Sequence, residues 1–288
     1  MKGTYRELPE HPHVALRHAL LDAGRTHPAP PFSPLRGRAA DPTATAEAVL
    51  HEHLTPYGVA VADLDRPMAN AELVEFGSVL GVPQPERSPD VGARVEEGVI
   101  LNLVSGPTVI RDPAGQPFAA NALSLHTESS GASVPAQPRY IVLMCVSPGS
   151  TGRTAQTVVV PMSGAYEALS RRTRDILTHL RYDLPGEAPA VLRRVGDRPV
   201  FAIRDFMDTP MPWTFDGKMD RPAAVDDALR ELYAAIYGAR AFGFTWTRGR
   251  LVVIDNTVHF HGRTRAVGAA EATARHLKRL RIAGGNVR

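Results

Sequence analysis

Two short motifs far apart in the chain, His126-Thr127-Glu128 and His261-Gly262-Arg263, constrain its fold more than any other feature. Side chains at positions i and i+2 of an extended strand point to the same face, so His126 and Glu128 can reach one ion together. A second imidazole from a later strand would complete three adjacent corners of an octahedral metal. The fold must therefore bring the ends of two distant strands to one place.

The second imidazole is ambiguous, because Val258-His259-Phe260-His261 alternates at the end of a predicted strand. We favour His261 as the ligand, since Gly262-Arg263 follow it directly and Arg275 lies 14 residues beyond it. His259 is then interpreted as a residue that lines the pocket or supports a ligand. The alternative, with His259 on the metal, stays open.

Two other histidine pairs are not expected to bind a metal together. His51 and His53 lie in a predicted helix, where positions i and i+2 diverge by roughly 200°. His11 and His13 lie in an N-terminal segment that has no clear periodicity, and we expect them to be solvated.

Two imidazoles and one carboxylate with three open positions form the facial triad typical of non-haem Fe(II) oxygenases. The same donor set also suits catalytic zinc, although no His-Glu-x-x-His motif is present. Neither a Walker loop nor a Gly-x-Gly-x-x-Gly motif appears, which disfavours a nucleotide-binding enzyme.

The bulk properties fit a globular protein. Of 288 residues, 43% are apolar and 22% are charged, and no apolar run is long enough to span a membrane. The N-terminus lacks the apolar segment of a signal peptide, and Cys145 is the only cysteine, so we expect a cytoplasmic protein. A net charge of +3 without a basic block does not favour nucleic-acid binding, which leaves a small molecule as the expected partner.

Periodicity and turn residues predict the elements. Apolar runs of strand length occur at 58–62, 99–104, 139–146, 153–160, 199–203 and 277–282, and residues 242–254 are expected to form a hairpin. Helices are predicted over about 41–54, 71–80, 163–180 and 222–238. These elements favour one domain over residues 1–288, mainly β with flanking helices around a double-stranded β-helix (jelly-roll) core. Its parts are a helical portion at about 1–90, the core at about 95–285, and a Pro- and Met-rich lid insert at about 205–221.

The motifs together resemble the clavaminate-synthase-like branch of the TauD/TfdA superfamily of Fe(II)/2-oxoglutarate-dependent oxygenases. That branch has His-x-Glu, a distal His followed by Gly-Arg, an Arg 14 residues later and often another Arg four residues further on. It also has a Thr about 28 residues after the first His. This chain has matching residues at each of these places: His126, Glu128, His261, Thr154, Arg275 and Arg279.

The resemblance implies Fe(II) held by His126, Glu128 and His261, with 2-oxoglutarate as cosubstrate and O₂ as oxidant. Arg275 and Thr154 would bind the far carboxylate of 2-oxoglutarate, where a guanidinium offers bidentate geometry. The implied reaction couples decarboxylation of 2-oxoglutarate to succinate with oxidation of an unactivated C–H bond. Hydroxylation is expected first, and desaturation or cyclisation is the alternative within the family.

The resemblance also bears on the substrate. Arg279 corresponds to the arginine that holds the substrate carboxylate in amino-acid hydroxylases of this branch, so a free amino acid or a small derivative is expected, in specialised-metabolite (antibiotic) biosynthesis. Asp205 in the expected lid is a candidate for holding a cationic or amino group of the substrate, with Asp208 and Asp216 nearby. A zinc enzyme, or a jelly-roll binding module without activity, remains the alternative outside this class.

Overall fold

The computed structural model describes residues 1–22, 25–86, 89–105, 118, 121–149, 155–184, 187–207, 209–218, 221–266 and 274–284. Strands in the described part are β1 (Lys2–Tyr5), β2 (Leu35–Gly37), β3 (Val59–Leu64), β4 (Gly81–Pro83), β5 (Val95–Glu96), β6 (Ile100–Ser105), β7 (Leu123–His126), β8 (Tyr140–Ser147), β9 (Thr157–Pro161), β10 (Leu180–Tyr182), β11 (Leu192–Val195), β12 (Arg198–Phe201), β13 (Met211–Phe215), β14 (Phe242–Phe244), β15 (Arg250–Asp255), β16 (His259–Arg263) and β17 (Arg275–Gly284). The α-helices are α1 (Pro12–Leu21), α2 (Pro42–Ala48), α3 (Thr55–Tyr57), α4 (Asn70–Leu80), α5 (Met162–Ala168), α6 (Arg171–His179) and α7 (Ala223–Gly238), and a π-helical turn, Val49–Leu54, joins α2 to α3.

Two facing sheets form the centre of the molecule. The larger has the order β2-β3-β15-β8-β17-β6-β5, with β4 paired to the end of β17. The smaller has the order β14-β9-β16-β7. Apart from the parallel pair β2 and β3, every pairing within these two sheets is antiparallel. The predicted jelly-roll core is therefore confirmed.

Hydrophobic clusters show how the layers are stacked. One cluster lies between the two sheets and includes Leu101, Ile141, Val159 and Phe244. A second packs the outer face of the larger sheet against α2 and α4, and a third packs the outer face of the smaller sheet against α1, α5, α6 and α7. The space between the sheets is only partly filled by apolar side chains, and the rest of it forms the candidate site.

Strand β17 shows how alternation directs side chains into that space. Arg275, Leu277, Arg279 and Arg281 all line the cavity between the sheets, because they occupy alternate positions of one strand. Leu280, between two of them, packs on the opposite face with α4. One strand thus contributes three arginines to the cavity and Leu280 and Ile282 to the cluster on its other face.

The predicted hairpin at 242–254 is wrong. Strand β14 pairs with β9 in the smaller sheet, whereas β15 pairs with β3 and β8 in the larger one. Gly249, with a φ of 84°, makes the turn into β15. The turn has the residues of a hairpin, but the chain crosses from one sheet to the other, as successive strands do in a double-stranded β-helix.

The lid expected at about 205–221 is also corrected. Met211–Phe215 forms β13, which lies between β1 and β10 in a separate three-stranded sheet. Trp213 is 1% exposed and belongs to the core. Met211 and Phe215 pack inside the protein with Trp213, because alternate side chains of β13 face the helical layer.

The N-terminal region is more ordered than its sequence suggests. Residues 2–5 form a strand and residues 12–21 a helix, and His11 and His13 are buried rather than solvated. The predicted helix at 163–180 is interrupted, with α5 ending at Ala168 and α6 starting at Arg171. Among the described helices, none combines the length and apolar character that crossing a membrane requires.

Candidate metal centre and its cavity

Three side chains meet where β7 and β16 lie side by side. His126, the last residue of β7, is paired in register with His261 of β16, and Glu128 follows two residues after His126. Each imidazole Nε2 lies 3.9 Å from Oε2 of Glu128. One ligand atom from each residue lies within 4.8 Å of the others, a spacing that one metal ion can bridge.

The ring of His126 is oriented by its own strand. Its Nδ1 lies 2.8 Å from the carbonyl oxygen of Ser124. A carbonyl only accepts hydrogen bonds, so Nδ1 carries the proton and Nε2 keeps its lone pair for a metal. Such a hydrogen bond from the distal nitrogen is typical of metal-binding histidines.

Asn256 fixes the backbone of Glu128. The Glu128 N–H donates to Oδ1 of Asn256 at 2.8 Å, and Nδ2 of Asn256 donates to the Glu128 carbonyl at 3.1 Å. The same Nδ2 also donates to the carbonyl of Pro138 at 3.0 Å. Asn256 therefore ties the segment that carries the carboxylate to the loop before β16.

His259 lies apart from this group. Its Cα is paired with Pro161, and a Cβ added to Gly58 would lie 3.2 Å from Cε1 of His259. The described His, Cys, Asp and Glu residues that could hold one ion are His126, Glu128 and His261. His259 does not line the cavity, and both a supporting role for His259 and the ligand role of His261 stay predictions.

The electrostatics of the group suit a metal. Burial lowers the pKa of His126, and it lowers the pKa of His261 to about 3. Burial acts to raise the pKa of Glu128, but Arg279 and the two imidazoles outweigh it and lower that pKa to about 2. Near neutral pH the group therefore presents neutral imidazoles and an ionised carboxylate, the protonation states that metal ligands require.

The three side chains open into a cavity of about 440 Å³ between the sheets. Its apolar wall comes from the inner faces of β6, β8 and β17, and residues of the smaller sheet lie opposite. Residues from the segments around the sheets complete it, among them Glu86, Tyr182, Arg204 and Phe206. This volume suits a small ligand rather than a polymer.

Arg275 is an unusual group in this cavity. It is 3% exposed, and its Nε has no hydrogen-bond partner among the residues that the structure describes. Within the part of the chain that the structure describes, no carboxylate forms an ion pair with it. Burial lowers its pKa to about 10, which leaves it cationic at neutral pH. Because a buried cation without a counterion is costly, the arrangement favours an anionic ligand here.

Arg279 occupies the metal end of the same wall. Its Nη1 donates to Oε1 of Glu128 at 3.1 Å, and its Nη2 donates to Oε2 of Glu86 at 2.8 Å. Arg281, two positions further, lies 2.9 Å from Oε1 of Glu86. Arg279 thus lines the cavity and contacts the carboxylate of the candidate metal centre, and its role in binding substrate stays a prediction.

Asp205 does not lie where the sequence analysis places it. Its carboxylate is 3% exposed and does not line the cavity. It accepts hydrogen bonds from Arg17 at 2.8 Å and from the Tyr237 hydroxyl at 2.6 Å. Both partners lie in the helical layer, so this carboxylate is not available to a substrate. Asp216 is exposed and pairs with His179.

Two predicted residues, Thr154 and Asp208, lie outside the described residues. The role of Thr154 in binding 2-oxoglutarate therefore stays a prediction.

Sequence reasoning missed two residues that the cavity contains. Arg281 could have been found, because it continues the alternation of Arg275 and Arg279 along one strand. Glu86 had no such signal, since it belongs to the segment after β4 and reaches the cavity only through the tertiary fold.

The chain is similar in sequence to a described protein family and to a curated relative. The model of the family described as taurine catabolism dioxygenase TauD, TfdA family matches residues 27–281. A curated relative, L-asparagine oxygenase of Streptomyces coelicolor, is 28% identical in an alignment of 187 positions that covers 59% of this chain and 52% of the relative. The chain thus matches about half the length of that relative.

Two solved structures share the fold. One is asparagine oxygenase in complex with Fe(II), 3-hydroxyasparagine and succinate, at a TM-score of 0.61 and 22% identity over 86% of this chain and 80% of that one. The other is the non-haem iron oxygenase OrfP in complex with Fe and α-ketoglutaric acid, at a TM-score of 0.63 and 15% identity over 85% of this chain and 81% of that one.

Proposed function

The chain belongs to the TauD/TfdA family of dioxygenases, and on this premise we propose that it is an Fe(II)- and 2-oxoglutarate-dependent enzyme that hydroxylates a free amino acid or a small amino-acid derivative. One observation carries the proposal: a 2-His-1-carboxylate group shares one cavity with a buried arginine that pairs with no carboxylate among the described residues. A zinc hydrolase would have no evident need for that arginine.

The side chains at the candidate metal centre suit Fe(II). His126 and His261 would bind Fe(II) through Nε2, and Glu128 would bind it through Oε2. Nδ1 of His126 already donates its proton to the Ser124 carbonyl, and Oε1 of Glu128 already accepts a hydrogen bond from Arg279. The bound ion with 2-oxoglutarate would supply O₂ activation coupled to release of succinate and CO₂. The protein contributes a donor set that leaves three positions open.

Arg275 is proposed to bind the far carboxylate of 2-oxoglutarate. A guanidinium can donate two parallel hydrogen bonds to a carboxylate, and their strength increases when water is excluded. Burial of Arg275 supplies that exclusion. Thr154 is proposed to donate a further hydrogen bond to the same carboxylate, as the family motif implies.

The substrate end of the cavity supports an amino acid. Glu86 bridges Arg279 and Arg281, so opposite charges already lie side by side on this wall. A substrate carboxylate bound to Arg279 and an ammonium bound to Glu86 would keep every charge paired. The curated relative is named for asparagine, and OrfP has been solved with hydroxylated arginine, which also supports an amino-acid substrate.

Substrate screening tests this function. The purified chain is incubated with Fe(II), 2-oxoglutarate, ascorbate and a panel of free amino acids, and products are followed by mass spectrometry. We expect a product heavier by one oxygen atom, formed together with succinate; loss of two hydrogens would instead indicate desaturation or cyclisation. Absence of both O₂ uptake and succinate, with and without the panel, would contradict the proposal.

A further inference from the structure

Strand β7, which carries His126, is the last strand of the smaller sheet, with β16 on one side only. A last strand has backbone groups without a strand partner on its outer side. Here residues at this edge and just beyond the strand are bonded to other parts of the chain. Thr127 donates its N–H to the carbonyl of Ile203 at 2.8 Å, and Ser124 Oγ donates to the carbonyl of Asp205 at 3.0 Å.

A tyrosine from the helical layer bonds to the same edge. The hydroxyl of Tyr237 on α7 accepts the N–H of Leu125 at 3.2 Å and donates to Oδ2 of Asp205 at 2.6 Å. Leu125 lies directly between Ser124, whose carbonyl orients the His126 ring, and His126 itself. A shift of this backbone would therefore turn the imidazole.

Asp205 is held in turn by the N-terminal helix. Arg17 of α1 donates to Oδ2 of Asp205 at 2.8 Å, and the Met207 N–H donates to Oδ1 at 2.8 Å. Arg17 is itself 7% exposed and forms a bidentate pair with Glu7 at 2.6 and 2.7 Å. These contacts make a continuous buried path from Glu7 through Arg17, Asp205 and Tyr237 to β7.

This path begins outside the residues that match the family model. The family model matches from residue 27, whereas Glu7 and Arg17 lie in β1–α1 and the turn between them. The contacts that hold the strand carrying His126 thus come partly from residues that precede the match to the family model.

We infer that Arg17 and Tyr237, acting through Asp205, are positioning residues for His126, so that the N-terminal segment sets the affinity of the candidate metal centre. This inference rests on the proposed function, because it concerns the same Fe(II) site. Neither residue would touch the ion or the substrate.

The test is anaerobic titration of Fe(II) into the full-length apo chain, followed by calorimetry. We expect Arg17→Met and Tyr237→Phe each to weaken Fe(II) binding by ~10-fold, the lower end of the effect of residues that orient metal ligands. Arg17→Lys should recover part of the affinity, since it restores a cation beside Asp205. Tyr237→Phe retains the packed ring, so it gives a result even if Arg17→Met does not fold.

A matched control separates positioning from general loss of stability. Arg250 on β15 forms a bidentate pair with Asp63 on β3 at 2.7 and 3.0 Å, in a part of the larger sheet that does not line the cavity. Arg250→Met should lower the urea midpoint of unfolding but leave Fe(II) affinity within about twofold of the parent, because additive effects are usual for distant sites.

The outcomes are distinct. Unchanged Fe(II) affinity in both Arg17→Met and Tyr237→Phe, or an equal loss in Arg250→Met, would overturn the positioning role and leave the proposed function intact. If the parent chain binds no Fe(II), the proposed function fails and the inference fails with it.

Discussion

Arg279 donates from Nη1 to Oε1 of Glu128 at 3.1 Å, while Oε2 of the same carboxylate faces both imidazoles. The proposed anchor of the substrate is therefore in direct contact with a proposed ligand of the metal. A substrate carboxylate that binds Arg279 would alter the hydrogen bonding of Glu128. The geometry links occupation of the substrate site to the metal centre.

Arg279→Ala should raise the KM for the amino-acid substrate by ~30-fold, which corresponds to the lower end of the cost of removing one partner of a buried charge pair. Turnover of 2-oxoglutarate without substrate should change much less, since Arg275 is untouched. Steady-state kinetics with both substrates check this. Lys278→Ala is the control, because Lys278 lies on the opposite face of β17 and pairs with Glu96. Equal damage to both reactions would show that Arg279 does not anchor the substrate.

Arg275→Met should have the reverse effect. The variant keeps an apolar side chain of similar length but loses the cation proposed to bind 2-oxoglutarate. We expect the KM for 2-oxoglutarate to rise by ~30-fold or more, with little change in the KM for the amino acid. Kinetics with 2-oxoglutarate as the varied substrate give the answer. A variant that still saturates at the parent's 2-oxoglutarate concentration would exclude this role for Arg275.

Gly262→Ala should disrupt the metal centre through the backbone. A Cβ on Gly262 would lie 2.6 Å from the carbonyl oxygen of Leu123, which forces β16 away from β7. We expect a loss of ~1–3 kcal/mol in the free energy of unfolding, the usual cost of overpacking, and weaker Fe(II) binding. Gly164→Ala is the matched control, because the nearest atom to an added Cβ there is 4.0 Å away and α5 should gain stability. Equal urea midpoints for the two variants would contradict this prediction.

The lowered pKa of Glu7 makes the stability of the protein depend on pH. Burial acts to raise its pKa, but hydrogen bonds from His13 and Arg17 outweigh it and lower the pKa from 4.5 to about 2. A carboxyl group with a lowered pKa in the folded state stabilises the protein above the unfolded pKa, and this contribution is lost as the pH falls towards the folded pKa. The free energy of unfolding of Glu7→Gln should therefore lie below that of the parent at pH 7. The difference in the free energy of unfolding between the variant and the parent should become smaller as the pH falls from about 4.5 to about 2. Urea unfolding at several pH values measures it, and a difference independent of pH would refute the assignment.

Features that depend on local alternation were predictable. His126 and Glu128 stand two positions apart and reach the same place, and Arg275 and Arg279 share a face of β17, so spacing alone predicted each pair. The structure adds that the two faces belong to opposite sheets and meet across one cavity.

Features that depend on distant partners were not predictable. The N-terminal sequence looks like a polar tail, yet its side chains His11, His13 and Arg17 are buried. Their hydrogen-bonding groups find partners in Tyr5, Glu7 and Asp205, respectively. The position of Asp205 outside the cavity was not predictable either, because its partner Arg17 is 188 positions away in the chain. The turn around Gly249 has hairpin chemistry, and only the pairing of whole sheets shows that the chain crosses over instead.

The most direct test of the central claim is equilibrium binding of labelled 2-oxoglutarate to the chain under anaerobic conditions, with and without Fe(II). The structure predicts one 2-oxoglutarate per chain, bound tightly only when Fe(II) is present, and loss of this dependence in His126→Ala. Equal binding with and without Fe(II), or binding that survives in His126→Ala, would contradict a site in which the metal and Arg275 hold the two ends of one molecule.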